Sequence, residues 1–221
     1  DTHMGLDWDL YLIRFADIVF CAQKNAVESI KEINSQVFWL PLACDLKTHY
    51  QAGCELKYDI GFVGGIADGR RVRILKVLQE KYPGSYIGRA EKNEIAKIYS
   101  SSRIVVNIAI NNDINMRFFE GMCSGALLLT DPIHNNGMED LLSQAPDPFF
   151  VQYQDIDDLC IKIDFYLGNE SERQTIASTG KAFAHGQTYH HRWLTIVDHL
   201  KANSKLSQSL VLYYVYNVSL F

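Results

Sequence analysis

An arginine and a glutamate stand one helical turn apart in Asn115-Met-Arg-Phe-Phe-Glu-Gly-Met-Cys-Ser-Gly125, and the apolar run Ala126-Leu-Leu-Leu-Thr-Asp131 follows at once. The Arg117 guanidinium is a planar fork of donors suited to phosphate oxygens. The Glu120 carboxylate can accept both hydroxyls of a ribose diol. A glycine that closes the helix and leads into a strand puts the two groups at one end of a sheet. This order of parts suits a pocket for a nucleotide sugar. Simple ion pairing competes with that role. Arg117 has Glu120 at i+3 and Asp113 at i−4, and such a pair contributes only about 0.3–0.5 kcal/mol on an exposed face. Glu120 lies between Phe119 and Met122 on a helix that must cover a sheet. A buried carboxylate costs several kcal/mol unless it is paired, so a ribose or Arg117 has to satisfy it.

Asn115 begins that helix, whose free N–H groups and positive dipole end suit phosphate. Gly64 and Gly65 follow an earlier strand. Glycine there lets the backbone approach a ligand, and turn N–H groups can face an anion. A tight strand-to-helix turn explains the two residues equally well. The spacing of Gly61, Gly64, Gly65 and Gly69 does not fit the dinucleotide pattern G-x-G-x-x-G.

The elements that must position these residues alternate. Strands are expected at 18–22, 37–40, 59–63, 85–87, 104–110, 126–130 and 149–152. Helices are expected at 23–33, 70–81, 92–100, 115–123 and 138–142. Val72, Leu75 and Leu78 mark the inner face of the second helix. Leu6, Leu10 and Ile13 share a helical spacing near the start. Residues 41–57 lack a period and read as a linker. Apolar strands each followed by a helix predict a parallel sheet covered on both faces, an α/β, doubly wound, Rossmann-like domain. The last third is helical. Ile156, Leu159, Ile163 and Tyr166 form one stripe that begins at Asp155, and Asn169 with Glu172 reads as the N-cap of the next helix. A final helix runs from about 189 to 201.

Composition narrows the classes. The chain has 221 residues, 48% hydrophobic and 21% charged, with a net charge of −5. That is enough apolar material for a sizeable core. The acidic balance argues against nucleic acid as partner. The five cysteines, Cys21, Cys44, Cys54, Cys123 and Cys160, never fall in CxxC spacing, which argues for reduced thiols in a cytoplasmic protein. Among seven histidines, His185, His190, His191 and His199 fall in the late helices, where a solvated face or a cap is expected. None has metal-ligand spacing, so no protein-built metal site is expected. The sequence begins without an initiator Met or a basic leader and reads as cut from a longer chain. The apolar end, 210–221, is shorter than the roughly 20 residues of a membrane span. It is expected to pack on the core or to mediate self-association.

Taken in order, Tyr58-Asp-Ile-Gly-Phe-Val-Gly64, Ile87-Gly88, Asn115-x-Arg117-x-x-Glu120-x-x-x-x-Gly125 and Thr188-Tyr189-x-x-Arg192 resemble the spore-maturation, CgeB-type glycosyltransferase family. More broadly they resemble the C-terminal half of GT-B-fold glycosyltransferases. Residues 120–125 are similar to the Glu-Ala-Met-Ala-x-Gly signature of many sugar-nucleotide transferases. The resemblance implies a C-terminal domain that binds a nucleoside-diphosphate sugar, UDP-linked, as donor substrate. The acceptor, a glycan, protein or small molecule, would sit on an N-terminal domain. Transfer would occur in the cleft without a bound metal or other cofactor. Residues 1–45 would be a remnant of the acceptor-side domain, 46–203 the donor-binding domain, and 204–221 an apolar tail. Glu120 would take the ribose as the second Glu of the family's pair, whose first member falls at Asn112. Arg117 with Gly64-Gly65 would neutralise the leaving diphosphate. His3 would be the catalytic base candidate. A non-catalytic sugar- or nucleotide-binding module, favoured by Asn112, and a sugar-nucleotide epimerase on the same architecture are the alternatives.

Overall fold

A computed structural model describes residues 11–66, 69–145 and 147–202. His3, Leu6, Leu10 and the tail 204–221 lie outside the described residues. The chain opens on β1 (Val19–Cys21), α1 (Lys24–Lys31) and β2 (Val37–Trp39), and the two strands pair in parallel. It continues through β3 (Tyr58–Val63), α2 (Gly69–Lys81), β4 (Tyr86–Gly88), α3 (Ile95–Ser100) and β5 (Ser102–Asn107). Then come α4 (Met116–Cys123), β6 (Leu127–Thr130), α5 (Met138–Leu142) and β7 (Val151–Gln152). Three helices follow: α6 (Ile156–Gly168), α7 (Glu170–His185) and α8 (Tyr189–Ala202). The second sheet is fully parallel, in the order β4-β3-β5-β6-β7.

Alternation along the strands splits the core in two. Ile60, Phe62, Ile104, Val106, Leu127 and Leu129 pack against α2 and α6 on one face. Val63, Val105 and Leu128 pack against α3 and α4 on the other. Strands apolar on both faces read as continuous apolar runs, which is why the sequence marks them well. Gly121 lets α4 lie close to the sheet: a Cβ there would stand 2.8 Å from Val105 Cγ1 and 3.3 Å from Leu128 Cδ1.

Several expectations need correction. β5 stops at Asn107, although the apolar run continues to Ile110. Polar side chains take over the backbone beyond it: Ile108 O accepts from Arg71 Nη2 at 2.8 Å, and Ala109 N donates to Asp131 Oδ1 at 2.9 Å. The inner face of α2 carries Arg71, Ile74, Leu75 and Leu78, whereas Val72 is exposed. Arg71 earns its inward place through the carbonyls of Gly65 and Ile108. Asn169 does not cap α7 with its side chain. Its Nδ2 donates back to Phe165 O at 2.7 Å and closes α6. Asp155 does cap α6, accepting from Asp158 N at 2.9 Å.

Candidate functional site

β3 and β5 are the strands from which the sheet grows in opposite directions, because β4 follows β3 on one side and β6 follows β5 on the other. A crevice opens beyond the carboxyl ends of strands at such a switch point. Arg117 spans it. Its Nε and Nη2 donate to Val63 O at the end of β3, at 3.2 and 2.9 Å. Its Nη1 donates to Asn107 Oδ1 at the end of β5, at 3.2 Å. The guanidinium lies 4.2 Å from the Phe62 ring centroid. Asn107 is itself held, with Nδ2 donating to Thr130 Oγ1 at 3.0 Å and its carbonyl accepting from Tyr153 Oη at 2.9 Å. Val63 O also accepts from Tyr99 Oη at 3.4 Å, and burial pushes that phenol up to about 12.

The expected alternative, an Arg117–Glu120 or Arg117–Asp113 ion pair, does not form. Among the described residues no carboxylate lies within ion-pair distance of Arg117. Three of its five N–H groups are engaged by Val63 O and Asn107 Oδ1 and a further one meets Tyr99 Oη, so at least one remains. A fixed cation with a spare donor and no counter-charge suits a diphosphate.

Gly64 contributes by close approach. A Cβ there would collide with Arg117 Nη2. Its N–H is not free for an anion, since it donates to Gly88 O at 2.9 Å and extends the β3–β4 ladder. Gly65 O accepts from Arg71 Nη1 at 3.0 Å. Asn115 stands at the N-cap of α4, extended, with no side-chain cap bond and a buried Oδ1 that finds no partner.

Glu120 is buried, at 9% exposure. Its Oε1 lies 3.2 Å from His49 Nε2, a contact the sequence did not suggest. His49 comes from the 41–57 segment, read as a linker. Asp45 builds a turn there, accepting from Lys47 N at 3.0 Å and Thr48 Oγ1 at 3.0 Å. Those bonds hold the Asp45 carboxyl below its ordinary range, the Lys47 N–H being the larger cause. His49 O accepts from Cys123 Sγ at 2.8 Å, which docks the turn on the end of α4. Cys44 N donates to Gln187 O and Tyr189 N to Cys44 O, both at 3.1 Å. Arg192 Nε donates to Pro41 O at 2.9 Å, and burial lowers this guanidinium to about 10. The Thr188-Tyr189-x-x-Arg192 motif is thus a clamp on the segment that delivers His49. An Asx-type turn at Asp45 was legible locally, but nothing local points to a residue 71 positions on.

Asn112 is not aimed as a catalytic group. Its Nδ2 donates to His134 O at 2.6 Å and its Oδ1 accepts from His134 N at 2.8 Å. Asn136 Nδ2 donates to Asn112 O at 2.6 Å, and Asn136 Oδ1 accepts from Asn25 N at 3.2 Å. Lys24 pairs with Asp140 at 2.5 Å. The loops beyond β5 and β6 are thereby tied to α1. His199, half-buried, packs 4.3 Å from the Phe38 ring centroid. A cavity of about 300 Å³ lined by Leu142, Pro148, Phe149 and Gln152 includes none of the candidate site residues. Among the described residues there is no cluster of three His, Cys, Asp or Glu that could hold a metal, and no helix long and apolar enough to cross a membrane.

Residues 62–198 match the profile of the family described as glycosyl transferase-like. The chain belongs to that family. The family region runs from Phe62 to Asp198 and so contains Arg117 and Glu120 but not the His49 turn. No protein of curated function matches the chain in sequence. Solved structures share its GT-B-type α/β fold. Sucrose-phosphate synthase from Thermosynechococcus elongatus superimposes with a TM-score of 0.65 at 15% identity, over 93% of this chain and 63% of that one. Anabaena HepE in complex with UDP and glucose gives 0.67 at 10% identity, over 91% and 68%. The pneumococcal O-GlcNAc transferase GtfA in complex with UDP and GlcNAc gives 0.61 at 11%, over 89% and 47%. The chain therefore spans less than two thirds of the sucrose-phosphate synthase chain.

Proposed function

We propose that this glycosyl transferase-like chain is the donor-binding part of a glycosyltransferase that takes a UDP-linked sugar, with residues 46–203 as the donor unit. The observation that carries the reading is Arg117. It is locked across the β3–β5 switch point, without a carboxylate partner among the described residues and with at least one N–H to spare. That fork would take the diphosphate, with Asn115 and the uncapped start of α4 beside it. Glu120 would accept the ribose hydroxyls through the oxygen His49 leaves open. As the sugar–phosphate bond breaks, negative charge grows on the diphosphate, and a cation already in position stabilises it without reorganising. Structural neighbours solved with UDP support the choice of base. The order of motifs, which resembles that of the CgeB-type glycosyltransferases, supports a donor unit of that kind.

A second reading, a nucleotide-binding module without turnover, is favoured by Asn112. It stands where a catalytic carboxylate is expected, and its side chain is committed to the His134 backbone. Two measurements on this chain separate the readings. A thermal-shift panel of nucleoside diphosphates should single out UDP. Slow release of UDP from UDP-sugars would mark the transferase, and binding without release the module. No shift with any nucleotide would end both.

A further inference from the structure

His49 has no part in the family region, yet it meets the carboxylate on which the donor pocket depends. His49 is 4% exposed. Nδ1 accepts from Asp45 N at 3.1 Å, so in the neutral ring the proton resides on Nε2, the nitrogen that faces Glu120 Oε1. Burial favours that neutral form, against the opposing pull of the Glu120 and Asp45 carboxylates. The Asp45 N–H holds the ring, and the His49 backbone is bound on both sides: His49 N donates to Asp45 O at 2.6 Å and His49 O accepts the Cys123 thiol. Among the described residues no protein donor engages Oε2.

We infer that His49 is a positioning residue, which holds one oxygen of Glu120 so that the other faces the hydroxyls of a nucleotide ribose. The inference rests on the donor-pocket reading above. It makes the Asp45–His49 turn a selector for ribose hydroxyls. A carboxylate free to rotate on its long side chain loses more entropy on binding a diol than one already held.

The test is a comparison of UDP with 2′,3′-dideoxy-UDP by calorimetry in three proteins. The unaltered chain should prefer UDP by roughly tenfold or more, as one or two hydrogen bonds to a charged group require. His49→Leu should reduce that preference to roughly threefold or less while leaving the dideoxy affinity almost unchanged. His49→Gln, whose amide N–H reaches the place of Nε2, should retain most of the preference. If His49→Leu does not fold, His49→Asn, too short to reach Glu120, replaces it with the same expected loss. A full preference in the Leu or Asn variant overturns the role of His49 and leaves the donor pocket standing. No preference in the unaltered chain removes the pocket itself, and the inference with it.

Discussion

Replacing Arg117 with methionine keeps the side-chain stem and removes the fork. Two effects separate. The protein loses the contacts to Val63 O and Asn107 Oδ1 and the 4.2 Å stack on Phe62. Tyr99 Oη still serves Val63 O, so that carbonyl is not stranded. The stability loss should be about 1–3 kcal/mol, given about 0.5–2 kcal/mol for a cation over a ring and about 1 kcal/mol for a net hydrogen bond. The ligand loses a charge-assisted contact to its phosphates. At about 1.5–3 kcal/mol for the lost interaction, UDP should bind roughly 10- to 150-fold more weakly. Uridine carries no phosphate, so its affinity should change less than about twofold, within the spread of surface effects. Calorimetric titration of both ligands at one fixed ionic strength measures the contrast, because phosphate contacts are screened by salt. Equal weakening of UDP and uridine, or unchanged UDP binding, would refute the assignment of Arg117 to the diphosphate.

Other outcomes follow from the same geometry. Asn112→Ala removes both bonds to the His134 backbone and strains a residue at φ 52°, so denaturant unfolding should show a loss of about 1–3 kcal/mol. Gly121→Val drives a branched side chain against Val105 and Leu128, and should cost at least about 2 kcal/mol or prevent folding, read by the thermal midpoint. His49 titrates below its ordinary 6.5 in the folded chain, with burial the main cause and Lys92 adding to it, against Glu120 and Asp45. The unfolded chain therefore binds the extra proton first. That part of the stability is full above pH 6.5 and is lost as pH falls from there through the lower folded value. The stability difference between the unaltered chain and His49→Gln should shift against the histidine protein across that range, and a pH-independent difference would show that the ring does not titrate as described.

The sheet was readable because its strands are apolar on both faces and helices separate them. Beyond β5 the same apolar pattern outruns the strand. Ile108, Ala109 and Ile110 extend the apolar run of β5, but Arg71 and Asp131 claim the backbone of Ile108 and Ala109. Arg71 was hidden because an inward arginine breaks the 3.6-residue rule that picked out Val72. In the candidate site, the placement of Arg117 and Glu120 on one helix that leads into a strand was legible from their spacing and from the turn that follows. Their partners were not. The tie of Arg117 to Val63 and Asn107, and of Glu120 to His49, spans dozens of residues and leaves no local trace. The turn after β3 was legible at Gly64-Gly65, but not that Gly64 makes room for Arg117 or that its N–H is spent on Gly88.

The most direct measurement is a calorimetric titration of UDP into the unaltered chain, Glu120→Gln and Glu120→Ala. The expected result is saturable binding at one site, weakened at least roughly tenfold in the alanine protein and to a smaller degree in the glutamine protein, whose amide oxygen can still meet His49. Unaltered affinity in both variants would contradict the placement of a nucleotide ribose at Glu120.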